Sequence, residues 1–146
     1  MATYTATAAQ TNASGFFLHP PKYNEKGVQA MSVQFTFTTS QSAGDVIQMI
    51  PVMKGTQVHD VMVSTSGFTG GLATLGIGDG NSTKRFGSAS VSAANSIRPT
   101  QFTIGYSYSA DDTIDILFDA VSTATATGTV RLTVFFSFDQ AQDGNS

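Results

Sequence analysis

Apolar and polar residues alternate over long stretches of this chain. In MSVQFTFT, Met31, Val33, Phe35 and Phe37 fall on one side of an extended backbone, with Ser32, Gln34, Thr36 and Thr38 on the other. Successive side chains of a strand point to opposite faces, so this period of two predicts a strand with one face against a core. GTVRLTVFFSFD repeats the pattern with Val130, Leu132, Val134, Phe136 and Phe138 inward. TIDILFD sets Ile114, Ile116 and Phe118 against Asp115, Leu117 and Asp119, and QFTIGYSYS puts Phe102, Ile104, Tyr106 and Tyr108 on one face. DVIQMIPVM, Asp45 to Met53, is apolar enough for a strand, but Pro51 lacks the N–H of a central strand and predicts an end or a bulge. GTQVHDVMVSTSG predicts a strand over Thr56 to Ser64, and LATLGIG another over Leu72 to Gly78.

Turn chemistry separates these runs. Asp79, Gly80 and Asn81 carry the Asp-Gly signal for a tight reversal. TKRFG, Thr83 to Gly87, then reads as a short returning strand, and Ser88 to Thr100 as a loop of small residues. No segment joins a spacing of 3.6 to a helix cap, and helix formers are scarce. About eight short strands between turn signals predict an all-β fold, an antiparallel β-sandwich of the jelly-roll or Ig-like kind. The pattern leaves the strand order open.

The first thirty residues break the alternation. ATYTATAAQTNASG is poor in bulky apolar residues, and FFLHPPKYNEKG carries two prolines that exclude a helix or a central strand. The expected organisation is an extended N-terminal arm over residues 1–30, a β-sandwich domain over 31–139 and a flexible C-terminal tail over 140–146. Within the arm, Phe16, Phe17, Leu18, His19, Pro20, Pro21 and Tyr23 form the candidate contact segment. Apolar residues in a segment without its own core need a surface to dock on, either a partner's or that of the chain's own domain.

Composition narrows the function. Charged residues make up 12% of the chain and the net charge is −3, without the basic patch of a nucleic-acid-binding protein. No apolar run reaches the length of a membrane span. The chain has no cysteine, which excludes a disulfide framework and a thiolate metal site. MATYTATAAQ lacks the basic and apolar regions of a secretory signal, so synthesis in a cytosol is expected. A surface rich in Ser, Thr and Ala and poor in charge repels close neighbours little, which suits an assembly.

Candidate chemistry is thin. His59 and Asp60 are adjacent, so an unbroken strand would point them to opposite faces, where neither could orient the other as a hydrolase dyad requires. GIGDG, Gly76 to Gly80, is followed by NSTKRFG rather than by the helix N-terminus of a phosphate cradle, so its glycines are expected to serve a turn and a strand short of side-chain bulk. Asp111, Asp112, Asp115 and Asp119 lack the ligand spacing of a calcium loop. Glu25 is the sole glutamate and lies in the arm, and there is no Trp for a sugar platform. The reading is therefore not an enzyme, with no catalytic, cofactor or metal residues to name.

One resemblance adds to this. DVIQMIPVMKGTQVHDVMVS, then LGIGDGNSTKRFG, then TIDILFDAVSTATATGTVRLTVFFSFD follow the order of segments in head-decoration (capsid cement) proteins of tailed bacteriophages, over roughly Val46 to Asp139. The resemblance implies a β-sandwich on the outer capsid surface, commonly a homotrimer, with the major capsid protein as partner and no catalytic residues. It implies a virion protein, made in the host cytoplasm, that bridges capsid subunits and stabilises the head. The alternative is a phage fibre, tail or lectin-like sandwich that contacts a host-surface glycan.

Overall fold

The structure, a computed structural model, describes residues 1–5, 27–38, 41–67, 73–91, 95–97, 105–121 and 128–138. Ten strands run through them: β1 (Thr3–Thr5), β2 (Gln29–Phe37), β3 (Val46–Val52), β4 (Thr56–Ser66), β5 (Ala73–Asp79), β6 (Gly87–Val91), β7 (Asn95–Ile97), β8 (Tyr106–Ser107), β9 (Asp112–Val121) and β10 (Gly128–Phe138). They form two sheets. The first has the order β1-β3-β9-β5-β6, the second β2-β10-β4-β7, with β8 also paired to β4. Every pairing is antiparallel except β1 with β3. The fold is the expected all-β sandwich.

The alternating residues meet between the sheets. Ile47, Leu75, Ile77, Ile116 and Phe118 from the first sheet and Val58, Val61, Val63, Val130, Leu132 and Val134 from the second are all fully buried. Phe37 and Phe118 contact edge to face across the core, centroids 5.7 Å apart, a favoured arrangement for two aromatic quadrupoles. Phe136 and Phe138 are only half-buried and meet edge to face at the end of β10. Their inward parity is as the alternation predicts: Phe136 packs against the margin of the core.

Three bulges interrupt the period of two, one of them in β9, where Thr74 pairs with Ala120 and Leu75 with Phe118, leaving Asp119 as the extra residue. In β3, Gln48 pairs with Asp115 and Ile50 with Ile114, leaving Met49 as the extra residue. Ile47 and Met49 before it, and Ile50 and Val52 after it, are consequently all buried. Pro51 follows the bulge, beyond the part of β3 that β1 covers, where its missing N–H leaves no ladder bond open. In β4, Asp60 opposes Phe135 and Val58 opposes Phe136, so His59 is the extra residue. This resets the parity: Val58 and Val61 are both buried, and His59 and Asp60 are both half-exposed. The pair does not straddle the sheet, as an unbroken strand would have required.

Between β5 and β6 the sequence reading also needs correction. Residues 83–86 are a turn, not a strand, and the returning strand is β6, inside the segment expected to be a loop, as is β7. The turn itself is the predicted one: Asp79 and Ser82 exchange backbone hydrogen bonds around Gly80 and Asn81. At the other reversal, Thr56 N donates to Met53 O at 3.1 Å around Gly55, whose φ of +89° demands glycine at the third position of the turn.

The start of the chain joins the first sheet. Asp45, 6% exposed, accepts from Ala2 N and Ser42 N, each at 2.9 Å, and Val46 N donates to Ala2 O. Tyr4 then packs on Phe35 of the opposite sheet.

Candidate functional site

Side-chain chemistry concentrates at one end of the sandwich, around the β5–β6 connection. Asp79 ends β5 pointing inward, 1% exposed. A buried carboxylate persists only with its acceptor sites filled, and here five donors fill them. Oδ1 accepts from Asn81 N at 3.1 Å, Ser82 N at 2.8 Å and Arg85 Nη2 at 3.2 Å. Oδ2 accepts from Arg85 Nε and from the Tyr108 hydroxyl, the latter at 3.2 Å. The fork-on-fork geometry is the one guanidinium and carboxylate favour. Arg85 also lies over the Tyr106 ring, 3.9 Å from its centroid, and Tyr106 stands edge-on to Tyr108 at 5.0 Å. The bond to Asp79 raises the Arg85 pKa further, and burial next to the same carboxylate pushes the Tyr108 hydroxyl far up. Neither of these two groups exchanges a proton near neutrality, and the cluster holds the loop of residues 80–86 to the sandwich.

That loop lies over the outer face of the first sheet. Gly76 and Gly78 are buried because the backbone of residues 82–84 crosses them: a Cβ on Gly78 would overlap the Ser82 carbonyl oxygen, and one on Gly76 would stand 3.0 Å from Thr83 O. The glycines of GIGDG thus serve close backbone approach, as their context in the sequence suggests. Lys84 ties the loop to Asp119 of β9 at 2.7 Å, across solvent, where such a pair contributes little.

The four aspartates of β9 and its approach go separate ways. Asp111 accepts from Lys54 N at 2.9 Å, Asp112 from Thr113 N at 2.8 Å, and Asp119 from Lys84. Asp115 pairs with Gly78 in the ladder and is 8% exposed, and its Oδ1 has no hydrogen-bond partner. Among the described residues, no three His, Cys, Asp or Glu side chains could hold one metal ion. His59 Nε2 shares a hydrogen bond of 2.7 Å with Ser137 Oγ, while Asp60 Oδ1 accepts from Val61 N.

Asp115 predicts a pH dependence. Burial pushes its pKa from the ordinary 3.8 up to about 7, Asp112 and Asp79 add to the rise, and a hydrogen bond from Thr113 offsets part of it. The folded state therefore keeps a proton that the unfolded chain releases, and stability falls as pH rises from about 4 to about 7. Asp115→Asn removes the titration. Unfolding free energies from denaturant titrations should coincide for both proteins near pH 4, with the variant ahead by about 2–4 kcal/mol at pH 8.

The second surface is the outer face of the β2–β10 pair. Thr36 bonds to Thr129 at 3.0 Å, Arg131 Nη2 donates to Gln34 Oε1 at 2.8 Å, and Thr133 donates to Ser32 at 3.0 Å. These rungs line the face with hydroxyls and amides around Arg131. The candidate segment Phe16, Phe17, Leu18, His19, Pro20, Pro21 and Tyr23 lies outside the described residues, as do Phe102 and Ile104. The Asp79 cluster was missed by sequence reasoning; its only trace is an aspartate at the end of a glycine-rich strand with an arginine six residues on.

Among the described residues, neither end of the sandwich assembles a nucleophile, a base and an oxyanion site, and comparison with known proteins bears on what such a fold is used for. No family model and no curated protein matches the chain. Solved structures do match it. A chain of "Capsid of Ralstonia phage GP4" aligns with a TM-score of 0.68 at 18% identity, covering 95% of this chain and 99% of that one. Chains of phage capsids share this fold. A chain of "Cyanophage Pam1 capsid asymmetric unit" aligns with a TM-score of 0.64 at 19% identity, covering 84% of this chain and 93% of that one.

Proposed function

We propose that this chain is a virion structural protein that binds the outer surface of a phage capsid and bridges neighbouring major capsid subunits. The observation that carries the reading is the nearly end-to-end correspondence with a chain of a phage capsid, 95% of one and 99% of the other. It is supported by the segments that resemble head-decoration proteins, which form strands of both sheets in chain order. DVIQMIPVMKG makes β3 and the turn into β4, LGIGDG ends β5, and the last segment spans β9 and β10. The role is non-enzymatic. The chain acts as a homo-oligomer, with a trimer favoured, on the virion exterior after synthesis in the host cytoplasm.

Bridging needs contact area rather than a cleft. The hydroxyl-lined face of β2 and β10 supplies part of it at low charge, and an extended arm adds more without a core of its own. Because residues 2–4 belong to the sandwich, the arm is tested by substitution rather than truncation. Replacing Phe16, Phe17 and Leu18 together by serine should leave the melting temperature unchanged and weaken binding to undecorated heads by about a hundredfold or more. An unchanged affinity would take these residues out of the contact, and a collapse of the melting temperature would place them on the chain's own core.

A further inference from the structure

The edges of the two sheets are not equally protected. An open strand edge is a template for pairing, and proteins blunt it with short strands, charges, prolines or bulges. In the first sheet, β1 has three residues and β6 five, and the part of β3 beyond β1 carries the Met49 bulge and Pro51. In the second, β7 has three residues and β8 two. Strand β2 has none of these devices. It runs for nine residues, QAMSVQFTF, with no charge and no proline, and pairs with β10 without a register shift. From Ala30 to Thr36, its other side pairs with no strand among the described residues.

The sequence of this edge is compatible with itself. Antiparallel pairing of two copies about a twofold axis at Val33 sets Val33 against Val33, Met31 against Phe35, Ser32 against Gln34 and Ala30 against Thr36. Apolar residues then meet apolar residues on the core side, and polar or small residues meet on the outer side. Met31, Val33 and Phe35 are each only half-buried in the single chain although they pack on its core, so pairing completes their burial. Among the described residues charge does not oppose it: Arg131 sits one strand inside and is bonded to Gln34. The chain's own candidate occupant, residues 16–23, carries consecutive prolines at 20 and 21, and consecutive prolines cannot keep a ladder.

We propose that β2 is a self-association edge, at which two copies of this chain join their second sheets by antiparallel β2–β2 pairing centred on Val33. On a capsid, under the reading above, this contact would join adjacent decorations across a twofold axis. The pairing itself concerns the isolated chain and stands apart from that reading.

The test uses the purified full-length chain, which has no native cysteine. Antiparallel partners lie about 4.5–5.5 Å apart at Cα, within the span of a disulfide. Val33→Cys should therefore oxidise to a disulfide-linked dimer, while Asn81→Cys, exposed on the β5–β6 turn, should remain a monomer under the same conditions. Val33→Lys sets two like charges opposite each other and should weaken dimerisation in sedimentation by about tenfold, with salt restoring part of the loss. Its circular dichroism should match that of the parent. Three results would each overturn the proposal: no Val33→Cys dimer, equal dimer from Asn81→Cys, or sedimentation of the parent as a monomer at every concentration.

Discussion

Gly78→Ala should be among the most damaging single substitutions in this protein, with a loss of about 3–5 kcal/mol or no folded product at all. The added Cβ would meet three consecutive backbone groups, the Ser82 carbonyl oxygen, the Thr83 carbonyl carbon and Lys84 N, the last at 2.7 Å. Backbone cannot rotate away as a side chain can. The loop that would have to lift is held by the Asp79 cluster and by the bond from Phe86 N to Ile77 O at 2.9 Å. A graded series separates this account from a general cost of replacing glycine. Gly76→Ala meets Thr83 O and the Lys84 Cγ at 3.0 Å and should cost less, because the lysine stem can move. Gly80→Ala meets only the Asp112 carboxylate at 3.1 Å and should cost least. Urea denaturation of the three variants reads the order directly, and equal losses would refute it.

Asp79→Ala should cost about 3–5 kcal/mol, because removing one partner of a buried ion pair leaves the other uncompensated. Arg85, with a side chain 19% exposed, would keep its charge, and the buried Tyr108 hydroxyl would lose its acceptor. The amides of Asn81 and Ser82 would lose theirs too. Asp79→Asn keeps one acceptor oxygen and should fall between the two. The loss should appear first as faster amide exchange at residues 80–86, since the carboxylate holds that loop to the sandwich. Uniform exchange across the chain would contradict the assignment.

Much of the sandwich was legible in the sequence because burial between two sheets writes itself as a period of two. Val130, Leu132 and Val134, or Ile114, Ile116 and Phe118, could be placed by parity alone, and all are fully buried. Parity fails where a bulge adds a residue. Nothing local to HD or to QMI announces the slip at His59 or Met49, because the bulge is set by the partner strand's register. Strand β6 was hidden for a different reason: SASV in GSASV has the small residues of a loop, and only pairing with β5 makes it a strand. The Asp79 cluster is a tertiary object, with Tyr108 arriving from 29 residues away, so no spacing rule could reveal it. The open edge of β2 could be seen only once the other edges were known.

The central claim is that this chain clamps a phage head. A partner that binds only the intact shell stabilises it by RT ln(1 + [L]/Kd), about 2.7 kcal/mol per site at a hundredfold excess over Kd. Repeated over many sites, that raises the temperature at which the shell fails. Because the surface carries so few charges, the gain should survive moderate salt. The measurement is the DNA-release temperature of particles with and without this protein, in buffer, in EDTA and at raised ionic strength. The account predicts a higher temperature for decorated particles in all three conditions. Equal temperatures with and without the protein would contradict it, and equal temperatures joined to a loss of adsorption to host cells would point instead to a receptor-binding sandwich.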